Sequence, residues 1–203
     1  MSRIAVIDFE TTGLSPGMGD RVTEIAVILV ENGQVVDRFQ SLMNAGKRIP
    51  SFIEALTGIS NSMLATAPES TQVMRDASLF VGNAPMVAHN ASFDRRFWEA
   101  ELARIGTVSV QPFACTMLLS KRLYPQVRSH QLGMLVDYHQ LPRTGRAHRA
   151  LADAEMAASL LGQIQHDLRN CHGVTNPNHT VLMLLQRCAK ATIHKLLDRY
   201  RNV

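Results

Sequence analysis

Apolar positions change their spacing along this chain, and the spacing divides it into elements. Residues 4–7 form a short apolar, β-branched run, the pattern of a strand buried on both faces. Turn formers follow around Ser15, Pro16 and Gly17, and residues 22–30 then read as a long strand. Asn32-Gly33 is a turn signal between two β-rich runs, so residues 35–43 are predicted to be the second arm of a hairpin. Helical texture begins near Ser51, where Phe52, Ile53 and Leu56 precede the stop residue Gly58. Short helices are predicted over 60–65 and 71–81, then a buried strand over 86–88 that ends at His89-Asn90. Ser92 is predicted to cap a helix over 93–105, and Val108 and Val110 to lie in a last strand. Helices are expected at 115–123 and 131–138, with a long alanine-rich one over 147–168. Residues 170–178, with Gly173 and Pro177, read as a linker, and 180–199 as a final helix. Strands first, with helices between and after the later strands, imply an α/β domain around one mixed sheet. The only predicted boundary divides a domain at 1–172 from a linker and basic C-terminal helix at 173–203.

Composition narrows the class. With 203 residues, 46% hydrophobic and 19% charged, the chain suits a globular domain with a modest appendage. No apolar run reaches the ~18 residues of a membrane span. The chain enters a strand directly, so no secretion signal is expected. Cys115, Cys171 and Cys188 are odd in number and widely spaced, the pattern of reduced thiols in a cytoplasmic protein.

Charge adds a candidate partner. From His179 onward, Arg187, Lys190, Lys195, Arg199 and Arg201 stand against Asp198 alone, which accounts for the whole net charge of +4. A second basic zone holds Lys121, Arg122, Arg128, Arg143, Arg146 and Arg149 against Asp137. Such zones fit either a polyanionic substrate or a solvated basic face. The final helix also carries an apolar stripe of Val181, Leu184, Leu185, Cys188 and Leu196, which packs on the parent domain or docks a second subunit or a nucleic-acid strand.

The candidate chemistry begins at Asp8 and Glu10. Two residues apart on an extended chain, they project from one face, where bare carboxylates would repel and hold a proton. A divalent cation with a preference for hard oxygen ligands, Mg²⁺ or Mn²⁺, resolves that conflict. The alternative is a solvated turn bearing two acids. Asp94 opens a helix off a buried strand, where it serves as a ligand or as a favourable first-turn acid. His148 and Asp153 lie five residues apart. If His148 precedes the helix, it leans over the site that Asp153 faces. Otherwise His148 is an exposed loop residue and Asp153 pairs with Arg149. His89, at the end of a buried strand, reads as a satisfied structural histidine, and His130 as a loop residue that could meet a phosphate.

Three stretches together carry a resemblance: Asp8-Phe9-Glu10-Thr11-Thr12-Gly13, His89-Asn90-Ala91-Ser92-Phe93-Asp94, and His148-Arg149-Ala150-Leu151-Ala152-Asp153. They resemble, in order and spacing, the three motifs of the DEDDh 3′–5′ exonucleases, and most closely those of the exonuclease domain of the bacterial DNA polymerase III epsilon subunit and its stand-alone relatives. The likeness covers about residues 3–168. It implies a ribonuclease H-like fold with a five-stranded mixed sheet, and two metal ions, Mg²⁺ or Mn²⁺, held by Asp8, Glu10, Asp94 and Asp153. It implies His148 as general base, a role that suits imidazole near neutral pH. Thr11, Leu14 and Phe93 would hold the terminal nucleotide, with backbone amides around Thr11, Thr12 and Gly13 at its 3′-hydroxyl. The implied activity is removal of nucleoside 5′-monophosphates from the 3′ end of single-stranded DNA, as in repair or proofreading. RNA trimming and a silent nucleic-acid-binding subunit are the alternatives. The stretch after residue 168 matches no polymerase-binding segment, which favours a stand-alone enzyme. The expected partners are single-stranded DNA or RNA 3′ ends and, through the last helix, a second copy or another protein. No membrane is expected.

Overall fold

The computed structural model describes residues 3–201. One five-stranded sheet forms the centre. It is built from β1 (Arg3–Thr11), β2 (Val22–Glu31), β3 (Gln34–Leu42), β4 (Met86–Ala88) and β5 (Phe113–Cys115), in the order β3-β2-β1-β4-β5. β1, β2 and β3 pair antiparallel, and β1, β4 and β5 pair parallel, so the sheet is mixed. The β2–β3 turn has Asn32 and Gly33 at φ of 52° and 78°. Both are left-handed, as a two-residue hairpin turn of the primed type needs.

Helices cover both faces. Between β3 and β4 lie α1 (Ser51–Thr57), α2 (Asn61–Ala65) and α3 (Ser70–Val81). α4 (Ser92–Arg104) joins β4 to β5, and α5 (Thr116–Leu123), α6 (Leu132–Tyr138) and α7 (Ala150–Asn170) follow. α8 (His179–Arg187) and α9 (Ile193–Asp198) end the described chain. Strand alternation sorts the core. Ile4, Val6, Ala26 and Ile28 point to the side packed by α5, α7 and α8. Ala5, Ile7, Ile25 and Val27 point to the side packed by α3 and α4. Asp8, Glu10 and Glu24 share the parity of the first set, so their side chains leave the sheet toward α7. Ala150, Ala154, Ala157 and Ala158 are buried on α7. Small side chains there let a helix roughly 30 Å long lie close over β1 and β2.

Several sequence expectations need correction. Val108 and Val110 are 80% and 74% exposed, and the fifth strand lies instead at Phe113–Cys115, beside β4. Cys115 therefore closes a strand rather than opening a helix. Ser92 is the first residue of α4, whose N-cap is Ala91 with no side-chain cap. The long helix starts at Ala150, three residues later than expected, because His148 takes a left-handed φ of 60° and Arg149 is extended. The final helix breaks after Arg187, where Cys188 is extended and a 3-10 turn at Lys190–Thr192 leads into α9. The core runs across the expected boundary near residue 173: Val174, Val181, Leu182 and Leu185 are buried in the same cluster as β1 and α7. Residues 202 and 203 of that extension lie outside the described residues. Among the described residues, no helix is long and apolar enough to cross a membrane.

Candidate active site

The two acids of β1, the first turn of α4 and the start of α7 meet at one end of the sheet, around a cleft of about 410 Å³. Asp8, Glu10, Asp94, His148 and Asp153 all line it. Each position follows from local structure. Asp8 and Glu10 sit near the end of the central strand with matching parity. Asp94 is carried in by the helix that follows β4, and is 2% exposed. His148 precedes α7, as the loop alternative required, and its backbone N–H donates to Asp153 Oδ2 at 3.2 Å. The left-handed turn at His148 folds the chain back over Asp153, so Glu10, His148 and Asp153 offer ligand atoms within 4.8 Å of one another.

Asp153 does not pair with Arg149. Arg149 instead forks onto Glu24, with Nε to Oε2 at 3.0 Å and Nη2 to Oε1 at 2.8 Å. Glu24 also accepts the Ala150 N–H at 3.1 Å and the Gln40 amide at 2.8 Å. Burial pushes the Glu24 carboxyl up, but the Arg149, Gln40 and Ala150 bonds outweigh it and hold the group below its usual range. Glu24 stands directly opposite Glu10 across the β1–β2 ladder. A buried like-charge pair in that position is destabilising unless each acid is compensated. Glu24 has Arg149, whereas among the described residues no salt bridge reaches Glu10.

The electrostatics of the remaining acids carry the same message. Burial, then the charges of Asp153 and Glu24, push Glu10 up to about 8. Burial raises Asp94 to about 8 and Asp153 above its ordinary value. Asp8 is raised well above its usual range by burial and by Asp94, Asp153, Glu10 and Glu24. Four carboxylates forced together in this way form a hard-oxygen donor set that fits divalent cations, which remove both the repulsion and the bound protons.

The expected nucleotide-binding residues divide. Gly13, Leu14, Thr11 and Phe93 line the cleft, and Leu14 is 77% exposed there. Thr11 Oγ1 donates to the Gly13 carbonyl at 2.6 Å, shaping the bend. Gly13 is needed for a close approach, since a Cβ there would lie 2.5 Å from Asp20 Oδ2. Thr12 faces away, toward Asp20 at 3.3 Å, and its N–H is committed to the Arg21 carbonyl at 2.8 Å. His89 lines the cleft, but both ring nitrogens are engaged, with Thr116 Oγ1 at 2.9 Å and the His130 carbonyl at 3.0 Å. Burial lowers its pKa to about 4, which suits a neutral structural ring. His130 in turn lies 3.1 Å from the Tyr124 carbonyl.

Three participants were not read as site residues from the sequence. Phe52 and Leu56, one helical turn apart and both exposed, line the same cleft as Phe93 and give it an apolar wall. Their spacing was visible, but only their exposure separates a wall from a core face. Glu24 had a signal: it is an acid set directly before the apolar run of residues 25–30.

Comparison with known proteins gives the family. The family model RNase_T, described as Exonuclease, matches residues 5–161. The chain is 36% identical over 204 residues to the 3′-5′ exonuclease DinG of Bacillus subtilis, covering 98% of this chain and 21% of that protein. It is 35% identical over 167 residues to the PolC-type DNA polymerase III of Halalkalibacterium halodurans, covering 82% of this chain and 12% of the other. It thus spans about a fifth of the first and an eighth of the second. Among solved structures, exonuclease X in complex with 5′-overhanging duplex DNA superposes with a TM-score of 0.67 at 30% identity, over 80% of this chain and 91% of that one.

Proposed function

The chain belongs to the RNase_T family of exonucleases, among the DEDDh 3′–5′ exonucleases, and on that premise we propose that it removes nucleoside 5′-monophosphates from the 3′ end of single-stranded DNA. The observation that carries this is the convergence of Asp8, Glu10, Asp94, Asp153 and His148 on one cleft with an apolar wall. Relatives named as an exonuclease and as DNA polymerases support a DNA substrate.

Exonucleases of this family generally use divalent metals. Asp8, Glu10, Asp94 and Asp153 would hold two such ions, which supply charge stabilisation for the attacking and leaving oxygens of the phosphodiester. The chain's own groups do the rest. Leu14, Phe93, Phe52 and Leu56 take the apolar faces of the terminal nucleoside and exclude water from it. The turn at Gly13, held by the Thr11 hydroxyl on its carbonyl, brings main chain to the cleft wall where the 3′ end would lie. His148 accepts the proton of the attacking water as the new P–O bond forms, the bond from phosphorus to the 3′-oxygen of the shortened strand breaks, and that oxygen takes a proton from solvent to become the new 3′-hydroxyl. Asp153 fixes the backbone of that histidine through the 3.2 Å bond. Arg149, clamped by Glu24, keeps the preceding turn in place.

The test is digestion of end-labelled DNA, with an RNA oligomer of the same sequence alongside, in Mg²⁺, Mn²⁺ or excess chelator. Stepwise loss from the 3′ end with release of 5′-monophosphates is expected, together with no activity in chelator. Digestion past a blocked 3′ end, or full activity in chelator, would contradict the proposal. Faster digestion of RNA would assign the ribonuclease alternative.

A further inference from the structure

A second cavity, of about 180 Å³, lies beside the cleft across the first turn of α4. Phe93 and Asp94 face the cleft, whereas Ser92 and Arg95 of the same turn line the second cavity, together with Arg187 at the end of α8. The family model's match ends at residue 161, so α8 lies beyond the span it describes.

This helix end is nevertheless built into the fold. The Gln186 side-chain oxygen accepts the Cys115 N–H at 2.6 Å, and its amide donates to the Phe113 carbonyl at 3.1 Å. Cys115 Sγ accepts the N–H of Ala91, the residue before α4, at 3.4 Å. Arg122 Nε donates to the Cys188 carbonyl at 2.7 Å and ties α5 to the same junction. Buried side-chain bonds to the edge strand fix where Arg187 stands relative to Asp94.

The charge at this place is uncommitted. Arg187 is exposed, and its side chain has no hydrogen-bond or ion-pair partner among the described residues. An arginine in the last turn complements the helix dipole. That explains a basic residue there, but not its place over a cavity one helical turn from an acidic site. Arg95 meets Glu99 at 2.7 Å, in a pair exposed by 57% and 43%. Such a pair contributes little and leaves guanidinium donors free. An anionic strand entering a cleft of carboxylates needs positive charge along its approach.

We propose that Arg95 and Arg187 flank a phosphate-binding groove that holds the backbone of a single-stranded polynucleotide just upstream of its 3′-terminal nucleotide, with α8 as the outer wall. The inference rests on the exonuclease reading of the adjoining cleft. Forked guanidinium–phosphate contacts suit both residues, and a groove that contacts phosphates alone takes DNA and RNA alike.

Binding without turnover separates the two readings. Fluorescence anisotropy of labelled DNA and RNA oligomers with nuclease-resistant 3′ linkages is measured in Ca²⁺ across a salt series. Arg187→Glu should raise Kd about 10-fold or more for both, and lower the slope of log Kd against log salt by about 0.7, the value of one single-strand phosphate. Arg187→Gln should raise Kd about 3-fold, and Arg95→Ala should act in the same direction. Arg169→Glu makes the same charge change at the far end of α7 and should leave Kd within about 2-fold. Unchanged Kd and slope in Arg187→Glu, or an equal loss in Arg169→Glu, overturns the groove. An inactive wild-type protein in the digestion assay would overturn the reading of the cleft, while the binding comparison still decides the groove.

Discussion

Replacing Glu10 by glutamine should stabilise the metal-free protein at high pH and destabilise the metal-loaded one. Glu10 is 8% exposed, faces Glu24 across the ladder, and has its pKa raised from 4.5 to about 8. The folded value lies above the unfolded one. Stability from the protonated form is therefore fully present below about 4.5 and is lost as pH rises through about 8. At ~1.4 kcal/mol per unit, that shift sets a ceiling of about 5 kcal/mol on the loss between pH 4.5 and 9. Asp8, Asp94 and Asp153 release protons in the same cleft, so one substitution restores less, about 2 kcal/mol. On a chain of this size, that corresponds to about 4–8 °C in Tm. Thermal unfolding in chelator should therefore show the variant and wild type together at pH 5, with the variant pulling ahead by that amount at pH 9. Saturating Mn²⁺ should reverse the order, because the variant loses a ligand. Parallel Tm profiles in chelator, or equal stabilisation of the two proteins by Mn²⁺, would refute the reasoning.

The raised carboxyls also make cation binding proton-coupled. Mn²⁺ affinity should rise from pH 6 to pH 8, and calorimetry in buffers of different ionisation enthalpy should detect proton release; a pH-independent affinity counts against this. Glu24→Ala strips a forked partner from Arg149, whose side chain is 32% exposed, and leaves the Ala150 N–H without its acceptor, so urea unfolding at pH 7 should show a loss of about 2 kcal/mol. Glu24→Gln should lose clearly less, and a loss below ~0.5 kcal/mol in Glu24→Ala would remove the clamp from the account. Removing residues 174–203 takes Val181, Leu182 and Leu185 out of the core, so the truncated chain should melt well below the full one; an unchanged Tm would show that α8 is dispensable to the fold.

Much of this architecture was legible because two periodicities are strong here. The hairpin turn at Asn32-Gly33, the buried runs of β1 and β2 and the cap at Gly58 follow from residue type alone. The cleft was legible for a different reason: its five polar residues fall in three short stretches of distinctive spacing. The misreadings have physical causes. Val108 and Val110 look like a strand, yet strand position is set by pairing to β4, and Phe113–Cys115 occupies that place. The break after Arg187 has no proline or glycine to announce it. The left-handed His148 gives no local signal, because the turn is held by a bond to Asp153 and by the Glu24–Arg149 clamp rather than by its own residue type. Thr12 was grouped with its neighbours, but a register shift after Glu10 sends it toward Asp20.

The central claim is a division of labour between Asp153, which would hold a cation, and His148, which would move a proton. It is tested most directly by Mn²⁺ titration calorimetry and single-turnover cleavage of a single-stranded oligomer on the same two variants. Asp153→Asn should lose cation affinity and cleavage together. His148→Ala should keep its cation affinity nearly intact while cleavage falls by roughly 10²–10⁴, the usual contribution of a general base. If His148→Ala loses the cation as badly as Asp153→Asn, or cleaves at the wild-type rate, the base is another group and the account of this cleft is wrong.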